Sequence, residues 1–333
     1  MMSKHSSQSE IARALSALAA AVLFSTAALA GGQKTSTPPA SVLKVRTEVV
    51  NVYAVVRDKK GRLISDLPKS DFELTEDGVP QTIRYFSRAP DTPLTIALMI
   101  DTSPSQQSVL PLEQQEAAAF INEVMRPKDL MCVLHFDVDV ELLQDFTASG
   151  AFLRRAIAGT AINGGGRGPL PSTFPSTSAG ATHLYDAVWL VSTQLMNSQV
   201  GRKIAVMLTD GEDQGSKETL SAALEAAQKA DVIVYSVDIV DRAFYGVNNL
   251  GFNGDSVLKK FAQETGGEVI RASGETDTNT AFRKIADQLR TQYLLGYTPT
   301  HQARDGKYRK IRVRVRGNSY KVQARRGYYA PTR

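Results

Sequence analysis

Cysteine is almost absent from this chain. Cys132 is the only one in 333 residues, so no intramolecular disulfide can form and the fold must be stabilised by its core. Cys132 lies in the apolar run Met131 to Phe136, where a thiol is normally a small buried hydrophobe. A strong charge excess is also missing. The formal charge is +5, about +4 without the first thirty residues, which is too weak to imply nucleic acid. The Arg/Lys run from Arg309 to Arg316 alternates with Ile and Val. That pattern predicts the solvent face of an edge strand, where basic side chains also discourage sheet-to-sheet pairing. Gly164-Gly165-Gly166-Arg167-Gly168 lacks the Lys-Ser/Thr that a phosphate-binding loop requires.

The residues present divide the chain into five parts. Lys4 and Arg13 precede the apolar stretch Ala14 to Ala30, which closes on Ala28-Leu29-Ala30. This basic, apolar and small-x-small succession predicts a secretory signal peptide over residues 1–30, cut after Ala30. No Cys stands at the cleavage site, which argues against a lipid anchor; a retained membrane anchor is the alternative. The expected location is secreted or periplasmic, with no transmembrane span after cleavage. Residues 31–43 are rich in Gly, Ser, Thr and Pro and read as a flexible linker.

Residues 44–90 form a β segment. Val50, Val52, Ala54 and Val56 alternate, Phe72 and Leu74 alternate, and Ile83 and Tyr85 are expected on one face of a further strand. From Leu94 the pattern changes. Leu94 to Ile100 is continuously apolar, as suits a parallel strand covered on both faces. Strands at 131–136, 203–209, 232–237 and near Val269 alternate with helices at 112–125, 152–158, 184–195, 220–230, 257–264 and 280–289. Val138 to Phe146 reads as a hairpin edge strand. Residues 91–291 are therefore expected to be α/β, a doubly wound, mostly parallel sheet. Residues 292–330 return to β pattern. The two β flanks are each incomplete, so they are expected to pair into one small β-sandwich into which the α/β domain is inserted, or to form separate hairpins on the central sheet.

Asp101-Thr102-Ser103-Pro104-Ser105 follows the run ending at Ile100, and Asp210 follows the run Lys203 to Thr209. Ligands of open α/β sheets bind beyond the carboxyl ends of the strands. Thr182 lies between these pieces, at the mouth of a helix. Asp101, Ser103, Ser105, Thr182 and Asp210 thus offer five oxygen-bearing side chains to one point. Carboxylate and hydroxyl oxygens without nearby His or Cys select Mg²⁺, or Mn²⁺ or Ca²⁺, over zinc or copper. Mg²⁺ takes about six oxygens, so one position is left for an outside ligand. His183 is expected to start a helix rather than act as a base. Asp186 reads as a solvated or supporting residue, Glu212 and Asp213 as favourable charges at the next helix start, and Asp137 and Asp139 as a hairpin turn.

These three pieces resemble the metal-ion-dependent adhesion site of von Willebrand factor type A domains. They are Asp101 to Ser105, Thr182 within Gly180-Ala181-Thr182-His183-Leu184-Tyr185-Asp186, and Asp210 within Leu208-Thr209-Asp210-Gly211-Glu212-Asp213. The resemblance covers about residues 94–289 and implies a Rossmann-like sheet. It further implies that Ser103, Ser105 and Thr182 ligate the ion directly while Asp101 and Asp210 act mostly through water. The long loop at 159–181 departs from the pattern. Asp71 to Gly78, Leu295-Gly296-Tyr297 and Ala324 to Tyr329 are similar to an exported bacterial subgroup carrying this domain.

The function expected is a non-enzymatic, metal-dependent binding module, with no catalytic residues and no organic cofactor. Its partner is a protein presenting Asp or Glu to the metal; nucleic acid is not expected. A structural or assembly role with metal merely stapling loops is one alternative. An Mg²⁺-dependent phosphoryl-transfer enzyme is another. Against it, Ser103 stands where such enzymes carry a second Asp, and no matched Lys is evident.

Overall fold

Asp101 and Asp210 lie where they do because of the strand order in the central sheet. In the computed structural model, which describes residues 48–88, 91–162, 182–239, 254–272, 275–317 and 319–332, the flanking strands come first: β1 (Val50–Asp58), β2 (Phe72–Glu76), β3 (Val79–Gln81) and β4 (Ile83–Arg88). The α/β part follows as β5 (Leu94–Asp101), α1 (Leu110–Val124), β6 (Leu130–Phe136), β7 (Val140–Thr147), α2 (Gly150–Ala158), α3 (Leu184–Leu190), β8 (Arg202–Thr209), α4 (Leu220–Lys229), β9 (Ile233–Ile239), α5 (Gly254–Thr265), β10 (Val269–Ala272) and α6 (Glu275–Thr291). Then come β11 (Tyr293–Tyr297), β12 (Tyr308–Val315), β13 (Tyr320–Ala324) and β14 (Gly327–Tyr329). The expected signal peptide and linker, and residues 163–181 of the long loop, lie outside the described residues.

The central sheet has six strands in the order β10-β9-β8-β5-β6-β7, parallel except for β7 at one edge. The chain winds outward in one direction from β5 and in the other from β8. The carboxyl ends of these two neighbours therefore mark the topological switch point, where a crevice opens. All of β5 is buried, as its uninterrupted apolar run requires. Its side chains alternate between faces: Leu94, Ile96, Leu98 and Ile100 pack with α1, α2 and α6, while Ala97 and Met99 pack with α3, α4 and α5. Ser149 and Thr219 cap α2 and α4 by accepting hydrogen bonds from Phe152 N and Ala222 N. The helix of α3 continues into a π-helical turn, Val191–Met196, where the sequence pattern suggested one helix. No helix among the described residues is long and apolar enough to cross a membrane.

The flanks pair with each other. β1 is antiparallel to both β11 and β13, in a sheet ordered β13-β1-β11-β4. A second sheet runs β14-β12-β2-β3. The two bury a common core of Val52, Ala54, Val56, Phe72, Leu74, Tyr293, Leu295, Tyr297 and Ile311. In that core Glu76 accepts hydrogen bonds from the hydroxyls of Tyr297 (2.6 Å) and Tyr328 (3.0 Å).

Two sequence expectations fail here. Ile83 and Tyr85 do not share a face. The register slips by one residue opposite Gly296 and Tyr297, so Ile83 points inward, Tyr85 is exposed and Phe86 turns toward the core. A bulge of this kind inverts the alternation. A Cβ on Gly296 would meet Tyr85 Cβ at 2.9 Å, so the tyrosine lies across the glycine. Nor is the basic strand β12 an edge, since it sits between β14 and β2. Its alternation is that of an inner strand with one wet face, which each sheet of a sandwich possesses.

Candidate metal-binding site

Three loops at the carboxyl ends of β5 and β8 and at the start of α3 carry the five residues expected at the site, and all five are buried. In the first loop Asp101 ends β5. Its Oδ1 accepts the Ser103 N–H (2.9 Å), closing a tight turn over Thr102. Pro104 then begins a short 3-10 turn, Pro104–Gln106. Ser103 and Ser105 flank the proline, with their hydroxyl oxygens 3.1 Å apart. The alternate spacing in D-x-S-x-S therefore places both hydroxyls together on one side of the turn.

In the third loop Asp210 repeats the device, its Oδ1 accepting the Glu212 N–H at 3.1 Å. Each aspartate thus fixes one oxygen in its own loop and turns the other toward a neighbouring one. Asp101 Oδ2 accepts the Thr209 hydroxyl (2.6 Å), and Asp210 Oδ2 accepts the Gln106 side-chain amide (2.8 Å). The same amide donates to Ser105 Oγ at 3.2 Å. Gly211 has φ +85°, and a Cβ there would meet Gly254 O and Leu258 Cγ, each at 2.6 Å. Only glycine makes the turn that follows Asp210.

Thr182 enters from the second loop. It forms an isolated antiparallel bridge with Gln214, Thr182 N to Gln214 O at 3.0 Å and Gln214 N to Thr182 O at 2.8 Å. This ties it to the third loop four residues past Asp210. His183 stands at the N-cap position of α3 without a side-chain capping bond, and its backbone N–H donates to Asp137 O at 2.7 Å. The imidazole thus stands at a helix start, as the sequence suggested. Asp137 and Asp139 form the β6–β7 hairpin turn through Asp137 N to Asp139 O (3.0 Å) and Asp139 N to Asp137 Oδ1 (3.1 Å).

Of the two roles expected for Asp186, the supporting one is found: it is buried and accepts the N–H groups of Lys217 and Glu218 at 3.0 and 2.8 Å. Two other acidic residues act differently from expectation. Glu212 and Asp213 do not serve the next helix, α4. Glu212 Oε1 accepts the first N–H of α5, from Gly254 (3.0 Å), and Asp213 Oδ1 accepts Tyr185 N in α3 (3.0 Å). Carboxylates do favour helix starts, but tertiary placement chose more distant helices.

The electrostatics of the site are those of confined negative charge. Burial, then repulsion from Asp210, pushes the Asp101 carboxyl up to about 7, against opposing hydrogen bonds from Ser103 and Thr209. Glu113 was not singled out in the sequence. It lies in the first turn of α1, fully buried, and neither carboxylate oxygen has a hydrogen-bond partner among the described residues. Burial, then the charges of Asp101 and Asp210, raises it well above the ordinary carboxylate range. Gln106 Oε1 is likewise buried without a partner there. Gln106 and Glu113 are polar residues close behind D-x-S-x-S, and only the fold shows that they turn inward.

Clustered carboxylates that repel one another out of water fit a cation. Among the described residues no three His, Cys, Asp or Glu side chains converge on one point, so an ion here must draw on the hydroxyls as well. Oxygen ligands of this kind suit a hard dication.

No family model matches the chain, and no curated protein matches it. Solved structures with a similar chain path include the conserved hypothetical protein BatB from Bacteroides thetaiotaomicron, at 14% identity and TM-score 0.45, over 59% of this chain and 97% of that one. A von Willebrand factor type A protein from Catenulispora acidiphila matches at 10% identity and TM-score 0.46, over 86% and 74% of the two chains. Proximal thread matrix protein 1 from the mussel byssus, with a zinc-occupied MIDAS motif, matches at 14% identity and TM-score 0.47; the match spans 62% of this chain and about half (48%) of that protein. At such identities the likeness concerns chain path, and no chemistry is carried across.

Proposed function

We propose that this chain is an exported, metal-dependent protein-binding module of the von Willebrand A type, acting as a binder and not as a catalyst. Ser103, Ser105 and Thr182 would hold the ion directly, and Asp101 and Asp210 mostly through water, with Mg²⁺ the first candidate and Mn²⁺ or Ca²⁺ next. When bound, the ion supplies a positive centre with one position open to a carboxylate of a protein partner. The chain's own residues position it: Asp101 and Asp210 supply the balancing charge, the paired serines present neutral oxygens, and the Thr182–Gln214 bridge fixes the second loop against the third.

The observation that carries this reading is the meeting of two buried carboxylates with two hydroxyls at the switch point, where burial and Asp210 both work against the Asp101 charge that a cation would restore. Hydroxyl ligands leave a dication less neutralised than carboxylates do, so an acidic group from outside is attracted to it.

Calorimetric titration of chelator-stripped protein with Mg²⁺ and Mn²⁺ tests the metal. Wild type should bind one ion, and Asp101→Ala and Asp210→Ala should not, with unchanged far-ultraviolet circular dichroism. Capture of envelope proteins with and without chelator tests the partner. Binding that survives chelation would overturn the reading. A rise in melting temperature with metal, but no metal-dependent capture, would reduce the ion to a staple.

A further inference from the structure

One hydrogen-bonded chain joins the first and second loops away from the ligand oxygens. Thr102, the residue between Asp101 and Ser103, donates its hydroxyl to Asp137 Oδ2 (2.7 Å), and its N–H bonds Phe136 O at 2.9 Å. Asp137 O in turn accepts the N–H of His183, the residue after Thr182 (2.7 Å). Asp137 is thus bonded to the immediate neighbours of Asp101, Ser103 and Thr182. The third loop reaches Thr182 separately, through Gln214. His135 completes the chain, with Nδ1 2.9 Å from Thr102 Oγ1 and Nε2 3.2 Å from Glu141 Oε2.

Counting hydrogens identifies the form of the imidazole that suits this arrangement. Apart from a long contact of the Thr102 hydroxyl with Phe136 O (3.5 Å), three shorter contacts need three hydrogens: Thr102 to Asp137, His135 to Thr102, and His135 to Glu141. The ionised carboxylates bring none and the threonine hydroxyl brings one. A neutral imidazole brings one more and leaves a contact unmade; an imidazolium brings two and completes the set. The charged groups facing the ring are Glu141 on β7 and Asp137 in the turn, whose Oδ2 lies 3.9 Å from Nδ1. On β5 the ring's paired position is the apolar Ile100, with Asp101 next along the strand. α3 approaches the Asp137 turn through the main chain of His183.

We infer that His135 and Asp137 are positioning residues of the metal site, and that proton uptake by His135 tightens it by locking Thr102 onto Asp137. This rests on the metal reading proposed above and adds a regulation to it: the grip on the ion, and so on an acidic partner, depends on pH through a residue that touches neither. Acid also weakens the site, because protons compete with the metal for Asp101. The two effects oppose each other and are separated by a ratio.

The test is the Mg²⁺ dissociation constant of His135→Gln divided by that of wild type, measured by calorimetry at pH 5.5 and pH 8.5. The two values are three pH units apart, so a thousandfold change in proton concentration separates the two measurements. Competition at Asp101 cancels in the ratio. Loss of a supporting partner behind a metal ligand weakens metal affinity about tenfold, so the ratio should be about ten at pH 5.5 and near one at pH 8.5. A ratio equal at both pH values overturns the inference while leaving the metal site standing. A wild type that binds no dication overturns both. Glu141→Gln, at the less buried end of the chain, provides a second variant should His135→Gln not fold, and it should show the same convergence. Thr102→Val should weaken Mg²⁺ binding about tenfold at pH 5.5, with Thr102→Ser restoring it. Failure of serine to restore binding would refute the hydroxyl's role.

Discussion

Asp101→Asn should stabilise the chelator-treated protein at pH 8 while abolishing its response to Mg²⁺. The carboxyl is moved by the fold from an ordinary 3.8 to about 7, chiefly by burial and by Asp210. Its folded value is the higher one. The unfolded chain therefore releases this proton first as pH rises, and stability is lost between about pH 4 and pH 7, levelling above that. At ~1.4 kcal/mol for each tenfold change in proton affinity, the folded state bears on the order of 4 kcal/mol at pH 8. At pH 4.5 the same linkage leaves only about 1 kcal/mol. Asparagine keeps an acceptor for the Ser103 N–H and removes the charge, so it recovers most of the difference. Urea denaturation of both proteins in chelator, at pH 4.5 and pH 8, measures it, and comparing them cancels other groups shifted the same way, such as Asp238. Mg²⁺ at a hundred times its dissociation constant should then add about 2.7 kcal/mol to wild type and nothing to the variant. The reasoning fails if Asp101→Asn is no more stable than wild type at pH 8, or if its advantage is as large at pH 4.5.

Glu113→Leu should also stabilise the chelator-treated protein, by about 1–3 kcal/mol at pH 8, since it replaces a buried carboxyl that has no partner among the described residues with an apolar side chain of similar size; the same denaturation series reads it. Gly211→Ala should cost more than about 2 kcal/mol, because a left-handed backbone at a non-glycine residue alone costs about 1–2 kcal/mol and Gly254 O blocks the added methyl. Tyr297→Phe should destabilise the β-sandwich by about 1.5–3 kcal/mol, the usual loss of a hydrogen bond to a charged group, seen as a lower urea midpoint. Cys132 is buried and its thiol is pushed up by burial and by Asp145. It should resist thiol reagents at pH 8 in the native protein and react at once in denaturant.

The α/β architecture was legible because a parallel strand buried on both faces leaves a continuous apolar run, and β5 shows one. The placement of Asp101 and Asp210 followed from strand ends alone. What escaped depended on register and on distant partners. The bulge opposite Gly296 leaves no mark in Ile83-Arg84-Tyr85, so the face of Tyr85 could not be read. The strand from Tyr308 looks the same whether one neighbour or two flank it. Glu212 and Asp213 were recognisable as helix-start charges, but which helices they serve is decided by where α3 and α5 pass. Gln106 and Glu113 read as ordinary polar residues until the first turn of α1 is packed beneath the loop carrying Asp101.

The pairing of β1 with β11 and β13 also constrains the order in which the molecule can form. Asn51 meets Gly296, and Ala54 meets Ala324, so β1, the first strand among the described residues, meets its strand partners only when nearly the whole polypeptide has emerged. Contacts of such long range close late. The inserted α/β part, whose strands and helices are mostly sequential neighbours, can assemble first and bring the two flanks together. Until then β1 presents bare Val-rich edges, which makes that segment the one most reliant on chaperones while the rest of the chain is made.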